Sequence, residues 1–180
     1  MAPDLKLRLA TADDVPAIDD LITRSVHGLQ CGDYSQEQRD AALGHVFLTD
    51  HGLIADRTYF VVATQSGQIV GSGGWSDRRA LHGGHTHGDT GERVAPDKDP
   101  ARIRAYYVDP TYARQGIASA ILEACEAAAM KRGFSRMAMG ATMTGVPFYA
   151  RHGYVEHGRE EAPLPNGDTL TVVLMERAID

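Results

Sequence analysis

The junction VDPTYARQGIAS, residues 108–119, restricts the fold more than any other stretch of the chain. A β-rich run over residues 103–108 is stopped there by Asp109-Pro110, because proline has no N–H for a sheet ladder. The strongest helical pattern then runs over residues 116–132, with Ile117, Ile121, Ala124, Cys125 and Ala128 on one side. Lys131 and Arg132 complement its negative end, and Gly133 is placed to close it. A helix start presents unbonded backbone N–H groups and a positive dipole end, which together attract an anion. Gly116 at that start puts no Cβ in the way, and Ala118 and Ser119 keep the approach open. The junction therefore predicts a site suited to a pyrophosphate. It is neither a P-loop, which needs Gly-Lys-Ser/Thr, nor a G-x-G-x-x-G dinucleotide loop. A single glycine at a helix start also fits a plain strand-to-helix turn, so both readings stand at this point.

The other segments build a mixed α/β chain around this junction. Leu5, Leu7 and Leu9 alternate with Lys6 and Arg8 as in a half-buried strand. Thr11 precedes Asp13 and Asp14, acids suited to a helix start, and Val15, Ile18, Leu21 and Ile22 follow at helical spacing. Ser35 and Gln38 form a capping-box pattern ahead of a second helix with Ala42, Val46 and Phe47 on its apolar side. Residues 59–63 and 68–75 read as two strands joined by Gln65-Ser66-Gly67, an antiparallel hairpin. Residues 76–100 are polar, aperiodic and rich in Gly, His and Asp, so they predict a long loop. Beyond the long helix, Met137, Met139 and Ala141 alternate in a strand. A short helix follows from Gly145, with Pro147 in its first turn and Gly153 at its end, and strands around Tyr154 and over residues 169–175 close the chain. This order predicts one domain over residues 1–180, a mixed and mostly antiparallel sheet flanked by helices.

Composition narrows the partners. Eighteen Lys and Arg against 24 Asp and Glu give a net charge of -6, which argues against nucleic acid, whose binding needs a basic footprint. No stretch approaches the roughly 18–20 apolar residues of a membrane span, and residues 1–14 lack the apolar core of a signal sequence. Cys31 and Cys125 have neither metal nor redox spacing, so reduced thiols and a cytoplasmic, soluble protein are expected.

The stretch IRAYYVDPTYARQGIASAILEACEAAAMKRGF resembles motif A of the GNAT superfamily, the acetyl-CoA-dependent N-acetyltransferases. The family's fingerprint of Gln or Arg, two residues, Gly, one residue, then Gly or Ala falls on Ala113, Gly116 and Ala118, and departs from the pattern at Ala113. TGVPFYARHGY, residues 144–154, resembles motif B, with Thr144 where many members have Asn. LRLATADDVPAI resembles the family's first strand and helix. The resemblance spans residues 7–175, although the 76–100 loop has no matching counterpart. It implies acetyl-CoA as co-substrate, with the pyrophosphate on backbone N–H groups of Gln115, Gly116, Ile117, Ala118 and Ser119. Arg114 supplies charge beside them, Val108 lies along the pantetheine arm, and Thr144 joins the coenzyme-binding set. The implied reaction is acetyl transfer to a primary amine of a small molecule or protein, by direct attack in a ternary complex. The enzyme would be a monomer or homodimer. The alternative is a catalytically silent acyl-CoA sensor on the same scaffold.

Tyr149 aligns with the tyrosine that many relatives use as general acid, and a phenol near 10 protonates a thiolate near 8.5 with a modest uphill step. No base is assigned; Asp77 and Glu92, flanking the long loop, are candidates only. His82, His85 and His87 with Asp89 sit in a glycine-rich stretch that suits a mobile loop better than a metal site, so no metal is expected. Trp75 fits either an acceptor pocket or the core. Alternation over residues 103–108 puts Arg104, Tyr106 and Val108 on one strand face and Ile103, Ala105 and Tyr107 on the other. Tyr106 and Arg104 are thereby candidates for acceptor contact. A guanidinium in a central strand needs a partner, either an internal carboxylate or an anionic group of the acceptor.

Overall fold

The computed structural model describes residues 4–79 and 92–179. His82, His85, His87 and Asp89 lie outside these described residues. Seven strands form one sheet in the order β1-β2-β3-β4-β5-β7-β6. They are β1 (Leu5–Leu9), β2 (Tyr59–Thr64), β3 (Ile69–Ser76), β4 (Ala101–Val108), β5 (Arg136–Thr142), β6 (Val155–Pro163) and β7 (Thr169–Ala178). All neighbours are antiparallel except β4 and β5, which run parallel. The mixed, mostly antiparallel sheet is as the sequence predicts.

Helices cover both faces. On one lies α4 (Ile117–Lys131), burying Ile117, Ile121, Leu122 and Cys125 against Val62, Val70, Trp75, Ile103 and Met139. On the other, α1 (Val15–Leu29), α2 (Gln36–Ala42) and α3 (His51–Ala55) bury Ile18, Leu21, Ala42 and Leu53 against Tyr59, Val61, Tyr107 and Val172. The capping box at Ser35 forms in full: Gln38 N–H donates to Ser35 Oγ at 3.1 Å and Ser35 N–H to Gln38 Oε1 at 2.9 Å. Sequence patterning missed α3, which is too short for a periodic signal and is started by Asp50, whose Oδ1 accepts from Leu53 N–H at 3.1 Å. The ends of the long loop are tied by a bridge between Arg78 and Arg93, with Val94 N–H donating to the Asp77 carbonyl at 2.6 Å.

Two departures from regular pairing shape the centre of the sheet. First, β4 and β5 pair only at Ala101↔Met137 and Arg102↔Ala138. Beyond these residues β5 follows β7 and β4 follows β3, so the two parallel strands separate. Second, β4 carries a bulge. Tyr107 pairs with Ser72 and Arg104 with Gly74, so Ala105 and Tyr106 together oppose Gly73. Ala105 absorbs the extra residue at φ 55°, in the left-handed region. The alternation expected for residues 103–108 is therefore corrected. Ile103, Tyr106 and Val108 share the α4 face, while Ala105 and Tyr107 belong to the α1 face.

Glycines in β3 set how closely α4 approaches. A Cβ on Gly71 would lie 2.3 Å from Ile117 Cγ2, and one on Gly73 would lie 2.5 Å from the Tyr106 ring. The first turn of α4 thus rests directly on the β3 backbone. Gly71→Ala should destabilise the fold by about 1–3 kcal/mol through overpacking and push the start of α4 outward. Urea denaturation reads the first effect; a stability equal to the parent's would show that Ile117 is free to move.

Candidate active site

The separation of β4 and β5 opens a cavity of about 250 Å³. Val108, Tyr106 and Arg104 line it from β4, Gly140, Ala141 and Thr142 from β5, and Ala118 from the first turn of α4. Thr144, Phe148 and Tyr149 also line it, as do Ser25, Gln30, Phe47 and Asp50.

Local sequence explains the helix start beside it. Asp109 is buried; its carboxylate accepts from Thr111 N–H at 2.9 Å, from the Thr111 hydroxyl and from Arg24 Nε at 2.9 Å. Burial works against its ionisation, but the Thr111 and Arg24 bonds outweigh it and hold the carboxyl below its ordinary pKa. This anchors the turn Pro110–Tyr112, after which Arg114 and Gly116 take left-handed conformations at φ 64° and 80°. Gly116 is the N-cap of α4, and the first ladder bond runs from Ala120 N–H to its carbonyl at 3.0 Å. The N–H groups of Ile117, Ala118 and Ser119 precede that ladder. Arg114, Gln115 and Gly116 are exposed, whereas Ile117 is buried beneath them. The Ser119 hydroxyl lies 3.1 Å from His152 Nε2. An anion has open access to this turn, with a dipole and N–H groups to meet it.

Tyr149 is buried in α5 (Val146–Arg151) and meets Tyr106 edge-on at 6.1 Å between ring centroids. Burial pushes its phenol pKa well upward, so the hydroxyl keeps its proton. Among the described residues its hydroxyl makes no hydrogen bond to protein, which leaves the proton available to a ligand. Thr144 precedes α5 without capping it. Gly145 is the N-cap, and the Thr144 hydroxyl donates to Asp33 Oδ2 at 2.5 Å, fastening the segment after α1 to the cavity rim. Tyr34 adds a second fastening. Its hydroxyl accepts from Met143 N–H at 2.8 Å and donates to the Thr171 carbonyl at 2.7 Å. Burial, acting against the Met143 bond, pushes its pKa up to about 12.

Val108 N–H donates to Ser25 Oγ at 3.3 Å, a long bond that a better acceptor could replace. Arg104 is paired with Asp50, Nη2 to Oδ2 at 2.8 Å, with side chains 5% and 7% exposed. The internal-carboxylate reading is thus what the structure contains. Trp75 packs edge-on to Phe134 at 6.0 Å, beneath the Arg132 guanidinium, and is not among the cavity's lining residues. Its place is the core. Asp77 and Glu92 are also away from the cavity lining, Asp77 held by Arg93 and Arg132 and Glu92 facing Arg79. Sequence reasoning missed Ser25, Gln30, Phe47 and Asp50, which come from the far side of the sheet and carry no motif that marks them.

The model of the acetyltransferase (GNAT) domain matches residues 32–167. The chain belongs to the GNAT family. No curated protein sequence matches it at a significant level. Solved GNAT structures share its fold along nearly its whole length. A GCN5-related N-acetyltransferase described as aminotransferase, class II, from Rhodopseudomonas palustris superposes with a TM-score of 0.72 at 22% identity, covering 99% of this chain and 98% of that one. The PaiA N-acetyltransferase of Thermoplasma acidophilum, solved in complex with coenzyme A, gives 0.67 at 13% identity, covering 99% of each chain. An N-acetyltransferase of Staphylococcus aureus Mu50 gives 0.63 at 15%, covering 98% of this chain and 99% of that one. Membership makes this GNAT chain an acyltransferase. Among its described residues no helix is long and apolar enough to cross a membrane.

The buried pair in the cavity wall yields a direct test. Arg104→Met strands the Asp50 carboxylate without its cation and should cost about 3–5 kcal/mol. Adding Asp50→Asn, which keeps the α3 cap, should recover part of that loss. Chemical denaturation of the two variants checks both; a single variant as stable as the parent would show that Asp50 has another partner.

Proposed function

We propose that this GNAT domain transfers the acetyl group of acetyl-CoA to a primary amine of a small molecule, by direct attack in a ternary complex. The observation that carries this reading is the cavity between the diverging β4 and β5, with the start of α4 at its rim and Tyr149 in its wall. The backbone N–H groups from Gln115 to Ser119 receive the pyrophosphate, with Arg114 beside them and Thr144 at the rim. The β4 edge freed at Val108 runs along the pantetheine arm, and Val108 N–H, released by Ser25, stabilises the carbonyl oxyanion. The neutral amine forms its C–N bond at the thioester carbon, the C–S bond breaks, and Tyr149 gives its proton to the departing sulfur. The amine's surplus proton leaves to solvent. Burial makes Tyr149 a weaker acid in the site than in water, but a thiolate beside it in the same apolar wall is raised for the same reason, so the transfer stays matched.

A silent acyl-CoA sensor on this scaffold needs no acid at the sulfur. A buried phenol without a protein partner, facing the cavity, supports the enzyme instead.

Gly116→Glu places a side chain on a left-handed residue and a negative charge where the pyrophosphate is bound. Calorimetry should find acetyl-CoA binding lost in the folded variant; undiminished affinity would falsify the placement. Tyr149→Phe keeps the ring, so coenzyme affinity should survive while turnover falls on the order of 10²-fold. The upward shift also fixes a pH dependence. A raised pKa keeps the acid form present to higher pH, so Tyr149 does not shut the reaction down at the alkaline end. The rate of thiol release should climb as the acceptor amine deprotonates and hold level to about pH 10. A fall between pH 8 and 9 with an intact fold would assign the acid to another group.

A further inference from the structure

Among the residues lining the cavity one polar side chain has no account in the fold. Gln30 is 7% exposed, lines the cavity and has its Oε1 buried without a hydrogen-bond partner. No hydrogen bond to its side-chain amide is made among the described residues. A buried amide oxygen left unsatisfied is costly, and a ligand donor that completed it would recover that cost. Its position is fixed rather than loose. Gln30 caps α1 through its N–H to the Val26 carbonyl at 3.2 Å, and its own carbonyl accepts from Asp33 and Tyr34 N–H, each at 3.1 Å. Asp33 and Tyr34 are in turn fastened to Thr144, Met143 and Thr171.

The cavity lining limits what it meets. Leu29, Val46 and Phe47 contribute apolar surface, and Phe47 packs edge-on against Tyr107 at 6.4 Å. Arg104 is the only basic group among the described lining residues, and Asp50 neutralises it at 2.8 Å. An acceptor carboxylate would have to break that buried pair or stay uncompensated against apolar walls.

Resting on the acetyltransferase reading above, we propose that Gln30 is a specificity-determining residue. Its side-chain amide hydrogen-bonds a neutral amide or hydroxyl of an acceptor whose primary amine is carried on a compact apolar or aromatic body without a carboxylate.

Three probes separate the possibilities: phenylalaninamide, 2-phenylethylamine and phenylalanine, assayed by thiol release from acetyl-CoA with rates expressed per neutral amine. The parent protein should use phenylalaninamide about tenfold or more better in kcat/KM than 2-phenylethylamine, and phenylalanine worst. The near-isosteric Gln30→Met should bring phenylalaninamide down to the level of 2-phenylethylamine. It should leave 2-phenylethylamine and the calorimetric affinity for acetyl-CoA unchanged, and melt no lower than the parent, because an unsatisfied polar group has been removed. A preference for phenylalaninamide that survives Gln30→Met, or a parent that binds acetyl-CoA but prefers 2-phenylethylamine, prefers phenylalanine or uses none of the three, overturns the assignment and leaves the acetyltransferase reading standing. A variant that unfolds or melts well below the parent overturns it too, by making Gln30 a structural residue. A parent protein that does not bind acetyl-CoA overturns the underlying reading instead.

Discussion

β5 is hydrogen-bonded along its whole length to β7, from Arg136↔Ala178 to Thr142↔Val172, while β4 is bonded to β3. Between them only two residue pairs remain, at the entry of both strands. Beyond them the two strands are no longer paired, each following its own partner. A sheet that stayed paired here would bury the β4 edge against β5 and leave no space for a ligand. The separated strands instead expose backbone polar groups at the sheet centre, which an extended ligand with its own amides can satisfy. The Val108 N–H, held only by Ser25 Oγ at 3.3 Å, is one such group.

The same region shows how the helix start reaches the gap. Gly71, Gly73 and Gly74 remove three side chains from β3, so Ile117, Tyr106 and Leu53 occupy the space where Cβ atoms would sit. Ile117 lying on Gly71 fixes α4 at its first turn, next to the N–H groups that lack ladder partners. The bulge at Ala105 then turns Tyr106 toward α4 and Tyr107 toward α1. One extra residue thus puts aromatic lining residues on both faces of the sheet from consecutive positions. Tyr106 meets Tyr149 on one side, and Tyr107 meets Phe47 on the other.

Much of this was legible in the sequence where local chemistry decides it. The strand-stopping Asp109-Pro110, the glycine at the helix start and the Ser35 capping box each act over a few residues, and each element formed where those residues stand. The bulge was not legible, because alanine is no signal for positive φ; pairing with β3 forces Ala105 there. Arg104 showed that a buried guanidinium needs a partner, but the sequence could not name Asp50, which arrives through a five-residue helix with no periodicity. Trp75 read equally as pocket or core because burial depends on what β3 packs against. Phe134 and Arg132, from the far end of α4, settle it.

The polar groups of the cavity divide by how well the fold satisfies them. Asp50 and Arg104 are each other's partners, and Asp50 also caps α3, so together they add no net charge to the wall. Tyr34, Asp33 and Thr144 are likewise committed to holding the rim in place. Against that background two lining groups make no hydrogen bond to protein among the described residues, the Tyr149 hydroxyl and the buried Gln30 amide oxygen. A folded chain gains stability by pairing such groups or replacing them with apolar ones, since each unsatisfied buried polar group costs about 1–3 kcal/mol. The Gln30 oxygen is such a group, set among residues that are otherwise paired or apolar, and a ligand's hydrogen bond would complete it.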